Sequence, residues 1–260
     1  MGFSLLALVV LVGLLGPLLA GRESWHLPAV VGELLGGLLV GASGLRLLDS
    51  TEPTFTVLAQ VGFALVMFVV GSNVPVRDVT VRRALRRGLV GALLVGVLAA
   101  VAGVGLAALF GTGHAALYGV LIASSSAALI LPIIASLGLH GIAQLTAQVA
   151  IADAVCIVAL PLAINPARAA STALGAVAVV AGAGLVFFVL RRLDRDGLRK
   201  RLHRLSERRK FALELRINVL LLFGLAALAQ FAQVSVLLAG FALGLVVAAI
   251  GEPRRLARQL

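Results

Sequence analysis

Apolar residues in this chain fall in blocks of about 20, separated by short polar stretches rich in arginine. A helical block of that length crosses the hydrocarbon of a bilayer at 1.5 Å per residue. The blocks do not alternate with period two, and barrel strands are about half as long, so a β-barrel fits poorly. The pattern predicts nine spans, at about 2–20, 27–47, 54–72, 86–110, 115–137, 142–164, 169–190, 212–231 and 233–250. Most connections are short, which makes successive helices antiparallel neighbours. Little more than Ala232 separates the last two spans, so that turn is tight. The first span has no positive n-region, and no A-x-A site precedes Arg22; it reads as a retained helix rather than a signal peptide.

The expected fold is an all-α, polytopic transmembrane helical bundle. Its natural division is the longest polar stretch, 191–210 (RRLDRDGLRKRLHRLSERRK). Residues 1–190 then form a first bundle of about seven spans, 191–210 a basic cytoplasmic linker, 211–251 two further spans, and 252–260 a basic cytoplasmic tail. The linker reads as a topology anchor, with lipid binding or a regulatory hinge as the functional alternative.

Composition narrows the class. Hydrophobic residues make up 61% and charged residues 13%, against roughly 25% charged in soluble domains. The mean hydropathy of +1.11 points to lipid as the main solvent. A soluble enzyme is excluded, and neither a nucleotide loop nor a catalytic triad is visible. The net charge of +11 would suggest nucleic acid in a soluble protein. Here the arginines sit between apolar blocks, so membrane lipids with anionic headgroups are the expected partners and nucleic acid is not.

Cation placement sets the orientation. Loops after odd-numbered spans hold Arg22, then Arg77, Arg82, Arg83, Arg86 and Arg87, then the basic linker and the tail. Loops after even-numbered spans hold only Arg46 and Arg168. The N-terminus is expected outside and the C-terminus in the cytoplasm. The strong use of arginine, alanine, glycine, leucine and valine fits a bacterial coding bias, hence a bacterial inner membrane. Cys156 is the single cysteine and lies mid-span, so no intrachain disulfide is expected. The four histidines (His26, His114, His140, His203) fall in loops, too scattered for a metal site, and no cofactor is expected.

Small residues recur at packing intervals: Gly32 and Gly36, Gly37 and Gly41, and Gly240 and Gly244. Such pairs let helix backbones approach closely.

Charge inside hydrocarbon is expensive and marks function. Apart from Arg46, Arg86 and Arg87 at span ends, counted above with the loops, the acidic and basic residues within spans are Glu33, Asp153, Glu214 and Arg216. Asp153 is at the midpoint of 142–164, and no other charge lies between His140 and Arg168. A centred Asp costs at least about 2.5 kcal/mol. Protonation, a bound monovalent cation or a partner outside this sequence would offset that. Ser124, Ser125 and Ser126 lie around the midpoint of 115–137, at the same depth in the antiparallel neighbour, so they can meet Asp153. Three serines can bond back to their own helix, and Pro132 removes another ladder bond, which together favour a broken helix with exposed carbonyls. Pro161 predicts a kink about two turns beyond Asp153. Gln148, Thr146 and Asn165 could line a path or serve as helix–helix hydrogen bonds. Glu33, roughly 9 Å into its span, either snorkels or faces a cytoplasmic funnel. Glu214 and Arg216 sit near the start of the eighth span, two residues apart and on different faces. Arg216 reads best as snorkelling.

These segments resemble a family. LPAVVGELLGGLLVGASGL is similar to the leading helix of monovalent cation/proton antiporters, the sodium/proton and potassium-efflux exchangers, and LAQVGFALVMFVVGSNV to the helix that follows. SSSAALILPIIASLGL resembles the discontinuous helix of the first core repeat, IADAVCIVALPL the helix with the essential aspartate, and VSVLLAGFALGLVVA a later helix. The resemblance implies an inverted-repeat fold, a homodimer, and exchange of Na+ or K+ for H+ at Asp153. Two departures stand out. Ala152 replaces the polar residue that usually precedes the aspartate. About nine spans stand where the family has twelve or thirteen, so the second repeat is expected to be incomplete: either the chain is a fragment, or a second copy or a separate polypeptide supplies the missing spans. The competing reading is a non-transporting membrane scaffold, with a channel as a third.

Overall fold

The computed structural model describes residues 3–21, 29–49, 51–74, 76–77, 79–124, 143–195 and 213–251. Among them there are helices and turns and no strand. The helices are α1 (Phe3–Gly13), α2 (Leu15–Ala20), α3 (Ala29–Val40), α4 (Pro53–Asn73), α5 (Val79–Phe110), α6 (Ala115–Ala123), α7 (Ala143–Ile164), α8 (Ala169–Arg195), α9 (Leu213–Phe231) and α10 (Val236–Ile250). A short 3-10 turn, Pro166–Arg168, joins α7 to α8. Stretches of four helices are long and apolar enough to cross a membrane by length and composition: Pro53–Ser72, Arg83–Phe110, Gln144–Ile164 and Pro166–Arg195. Shorter apolar helices accompany them.

Several helix ends differ from the hydropathy pattern, each for a local reason. The first apolar block divides at Leu14, because Pro17 has no N–H to offer the Gly13 carbonyl. The second block, expected to run to residue 47, is helical only to Val40. There the chain folds back: the amides of Leu45 and Leu47 donate to the carbonyls of Leu39 and Val40. Gly44 permits this turn, since a side chain there would strike the Leu39 carbonyl. In the other direction, α5 begins at Val79 and α8 runs on to Arg195, so both carry arginines as extra helical turns. At 1.5 Å per residue these 32- and 27-residue helices outreach the roughly 30 Å hydrocarbon layer.

Contacts divide the chain into two units, residues 1–62 and 63–260. In the first, α3 lies antiparallel against α1 and α2, with Gly32 beside Gly16 and Gly36 beside Val12. A methyl group on Gly32 would stand 2.8 Å from the Gly16 Cα, so the two backbones touch. Gly37 has open space around it and does not take part.

The second unit is organised around α10. This helix is apolar on every side, the signature of a helix enclosed by others. Its buried residues, among them Leu238, Ala239, Leu243 and Val247, join one core with Ala64 and Phe68 of α4, Val179 and Ala183 of α8, and Leu222, Leu225 and Ala229 of α9. The α4 contact is backbone to backbone: Gly240 sits on the Ala64 carbonyl, and Gly244 on Phe68 and Gly71. α5 packs against α6 and α7, with Gly91 directly under the Gln148 side chain. Its other face exposes Leu93, Leu94, Val97, Leu98 and Val101, as a lipid-facing helix does.

Candidate functional site

The site begins with a helix that stops early. α6 ends at Ala123, and Ser124 leaves it in an extended conformation (φ −64°, ψ 130°). Its amide still donates to the Val120 carbonyl at 2.9 Å, and its hydroxyl to the Leu121 carbonyl at 2.7 Å. A serine that bonds back to its own last turn satisfies carbonyls that the ending helix would leave open. The dipole of α6 places its negative end there. Ser125, Ser126 and Pro132 lie outside the described residues.

α7 runs past this point and carries Asp153 and, three residues later on the same face, Cys156. The Cys156 thiol donates to the Val120 carbonyl across 3.9 Å, tying α7 to the last turn of α6. Pro161 is inside α7, where it offers no N–H to the Ile157 carbonyl.

A third element comes from the far end of the sequence. The tight α9–α10 turn, with Gln233 in the left-handed region (φ 55°), delivers Ser235 as the N-cap of α10. The Ser235 hydroxyl accepts from the Leu237 amide at 3.3 Å. This is the positive end of the α10 dipole.

These pieces enclose one cavity of about 290 Å³. Its walls are Met67 and Val70 of α4, Val120, Leu121 and Ser124 at the end of α6, Asp153, Cys156, Ile157, Leu160 and Pro161 of α7, and Ser235, Leu237 and Phe241 of α10. A largely apolar wall with a few convergent polar groups is the usual form of a small-ligand site. Asp153 is half-buried and is the only acid among the described lining residues.

Of the residues singled out in the sequence, Ser124 and Asp153 line this cavity together. The others are placed elsewhere. Gln148 and Thr146 are half-buried on α7, with Gln148 against Gly91 of α5. Glu33 is exposed on α3, in the first unit. Arg216 is exposed on α9, and Glu214 belongs to the same helix. Among the described residues, no cluster of three or more His, Cys, Asp or Glu side chains forms. Ser235 escaped the sequence reading, as did the wall that α4 contributes. The signal for Ser235 was a serine opening an apolar run straight after a polar turn. For Cys156 it was the three-residue spacing from Asp153.

Comparison with known proteins agrees with this architecture. A family model described as "Sodium/hydrogen exchanger, transmembrane" matches residues 6–260. The chain is 35% identical over 69 residues to a putative Na(+)/H(+) antiporter, YjbQ, of Bacillus subtilis (strain 168). That alignment covers 26% of this chain and only 11% of the relative. No solved structure matches.

Proposed function

The chain belongs to the sodium/hydrogen exchanger family, and from that premise we propose that it exchanges a monovalent cation, Na+ or K+, for protons at Asp153. The observation that carries this reading is the cavity itself: one carboxylate, two serine hydroxyls and the carbonyl end of α6 around a space of about 290 Å³. Hard monovalent cations trade their hydration shell for oxygens of this kind. Helices interrupted beside an acid are how secondary transporters build ion sites. The cavity is large enough for an ion that keeps part of its water shell.

Asp153 then holds either a proton or a cation. Loading one expels the other, and that competition couples the two fluxes without a second site. Ser124 supplies a hydroxyl and stands on the negative end of α6. Ser235 lines the same cavity at the positive end of α10. The protein is a multi-pass membrane protein, and its basic loops support an inner-membrane setting with the N-terminus outside. A homodimer or a partner chain is part of the same proposal, since alternating access requires two repeats moving about a shared site.

Asp153→Asn is the test. Asparagine fills the same space and does not titrate. In proteoliposomes with an entrapped pH dye, the variant should lose cation-dependent proton flux and keep its helical circular-dichroism spectrum. Flux at the parent rate in Asp153→Asn would refute the assignment.

A further inference from the structure

α8 ends in a feature that the exchange reaction does not use. Its apolar run extends through Leu190, and the helix then continues without a break into Arg191, Arg192, Asp194 and Arg195. At 100° per residue, Phe187, Phe188, Arg191, Arg192 and Arg195 fall within about 140° of arc. Together they line a recess of about 400 Å³. The Arg191 guanidinium sits 5.6 Å above the Phe187 ring, a cation–π arrangement that fixes its position. Phe188 is largely exposed beside it. Asp194 does not line the recess, and among the described residues the charge lining it is positive.

We propose that this recess binds the phosphate headgroup of one anionic glycerophospholipid from the adjoining leaflet, with its acyl chains along Phe187 and Phe188. Three guanidiniums on one face repel one another, and a phosphate between them removes that repulsion while accepting forked hydrogen bonds. The negative end of the α8 dipole alone would favour cations here. It does not account for two aromatic rings at the same recess. A free phosphate has no use for those rings, whereas a lipid carries its charge and its apolar chains in the order that this face presents them. The helix also places the arginines where headgroups are, just past a hydrocarbon-length apolar run.

The experiment is native mass spectrometry of the full chain, delipidated in detergent and titrated with dioleoyl phosphatidylglycerol or dioleoyl phosphatidylcholine. Phosphatidylglycerol should be retained preferentially. The triple variant Arg191→Ala, Arg192→Ala, Arg195→Ala should lose more than about tenfold of that preference, since each surface cation near a membrane is worth roughly a factor of five. Arg201→Ala, Arg204→Ala, Arg208→Ala removes equal charge from the linker and should cost far less. Arg192→Gln alone, should the triple variant fold poorly by circular dichroism, is expected to lose about fivefold. Equal loss from the linker triple would mean diffuse attraction and overturn the proposal. Equal retention of both lipids would overturn it too, as would displacement of the lipid by millimolar inorganic phosphate.

Discussion

Ser124 and Ser235, 111 positions apart in the sequence, hold nearly the same backbone conformation (φ −64°, ψ 130° and φ −61°, ψ 130°) at the edges of one cavity. One follows the last residue of α6 and the other precedes the first residue of α10. The cavity therefore has the negative end of one helix and the positive end of another in its walls. A cation is attracted to the first. Asp153 completes the set, and the three residues define what can be tested.

Charge balance follows from the lining. Asp153 is the only acid among the described residues of the cavity wall, and Ala152 precedes it. One carboxylate exchanges one proton for one monovalent cation, which moves no net charge. Had charge moved, a potential would act on it at about 2.3 kcal/mol per 100 mV. The expected sodium-driven rate is thus independent of a potential set with valinomycin and a potassium gradient. A steep dependence on that potential would rule out the single-carboxylate scheme.

Cys156 reports on the same space. It is the single cysteine, half-buried, and shares the cavity wall with Asp153. N-ethylmaleimide should alkylate it and stop exchange, and saturating sodium should slow the labelling. Cys156→Ala should exchange normally and resist the reagent. Full activity in the alkylated parent protein would place the ion path elsewhere.

Ser235 caps α10 and also lines the proposed ion site, and the two contributions separate by substitution. As the N-cap of α10 it is worth about 1 kcal/mol, a loss expected in Ser235→Ala and largely avoided in Ser235→Asn. Thermal unfolding in detergent reads this difference. Both variants lack the hydroxyl, so both should need more sodium for half-maximal exchange. An unchanged sodium requirement in both would leave Ser235 a cap and nothing more.

The glycines divide by their surroundings. A side chain at Gly240 meets the backbone of Ala64, so Gly240→Leu should destabilise the protein by 1–3 kcal/mol or more, about the cost of overpacking a core. Gly37 has no neighbour to meet, and Gly37→Ala should raise stability by about 0.5–1 kcal/mol through helix propensity. Melting temperatures of the two variants should move in opposite directions.

Much of this was legible in the sequence because the bilayer imposes a length. Apolar blocks of about 20 residues located the helices, and counting to the midpoints of two neighbouring blocks put Ser124 level with Asp153. The ends of the helices were less visible. α3 stops at Val40 because amides beyond Gly44 turn back, an outcome decided by individual hydrogen bonds rather than hydropathy. α5 starts seven residues before its apolar block, at Val79 rather than 86, since arginines serve as well in an exposed helical turn as in a loop. Ser235 was hidden for a different reason. Its place in the same cavity wall as Asp153 depends on how α10 seats against α7 and α4, and no local pattern encodes that. The same holds for Gln148, whose polarity suggested a pathway or a helix–helix hydrogen bond and whose side chain lies over Gly91 of α5.

The contact between α4 and α10 has a mechanical consequence. Gly240 and Gly244 interlock with the backbone at Ala64, Phe68 and Gly71 so closely that no methyl group fits between them. Neither helix can slide or roll on the other without collision, so the pair travels as one stiff slab. The opposite wall is compliant: α6 has already ended at Ser124, and α7 has a weakened ladder at Pro161. In the proposed exchange, the movement that admits an ion from one side and then the other would bend α7 and the end of α6 against the α4–α10 pair.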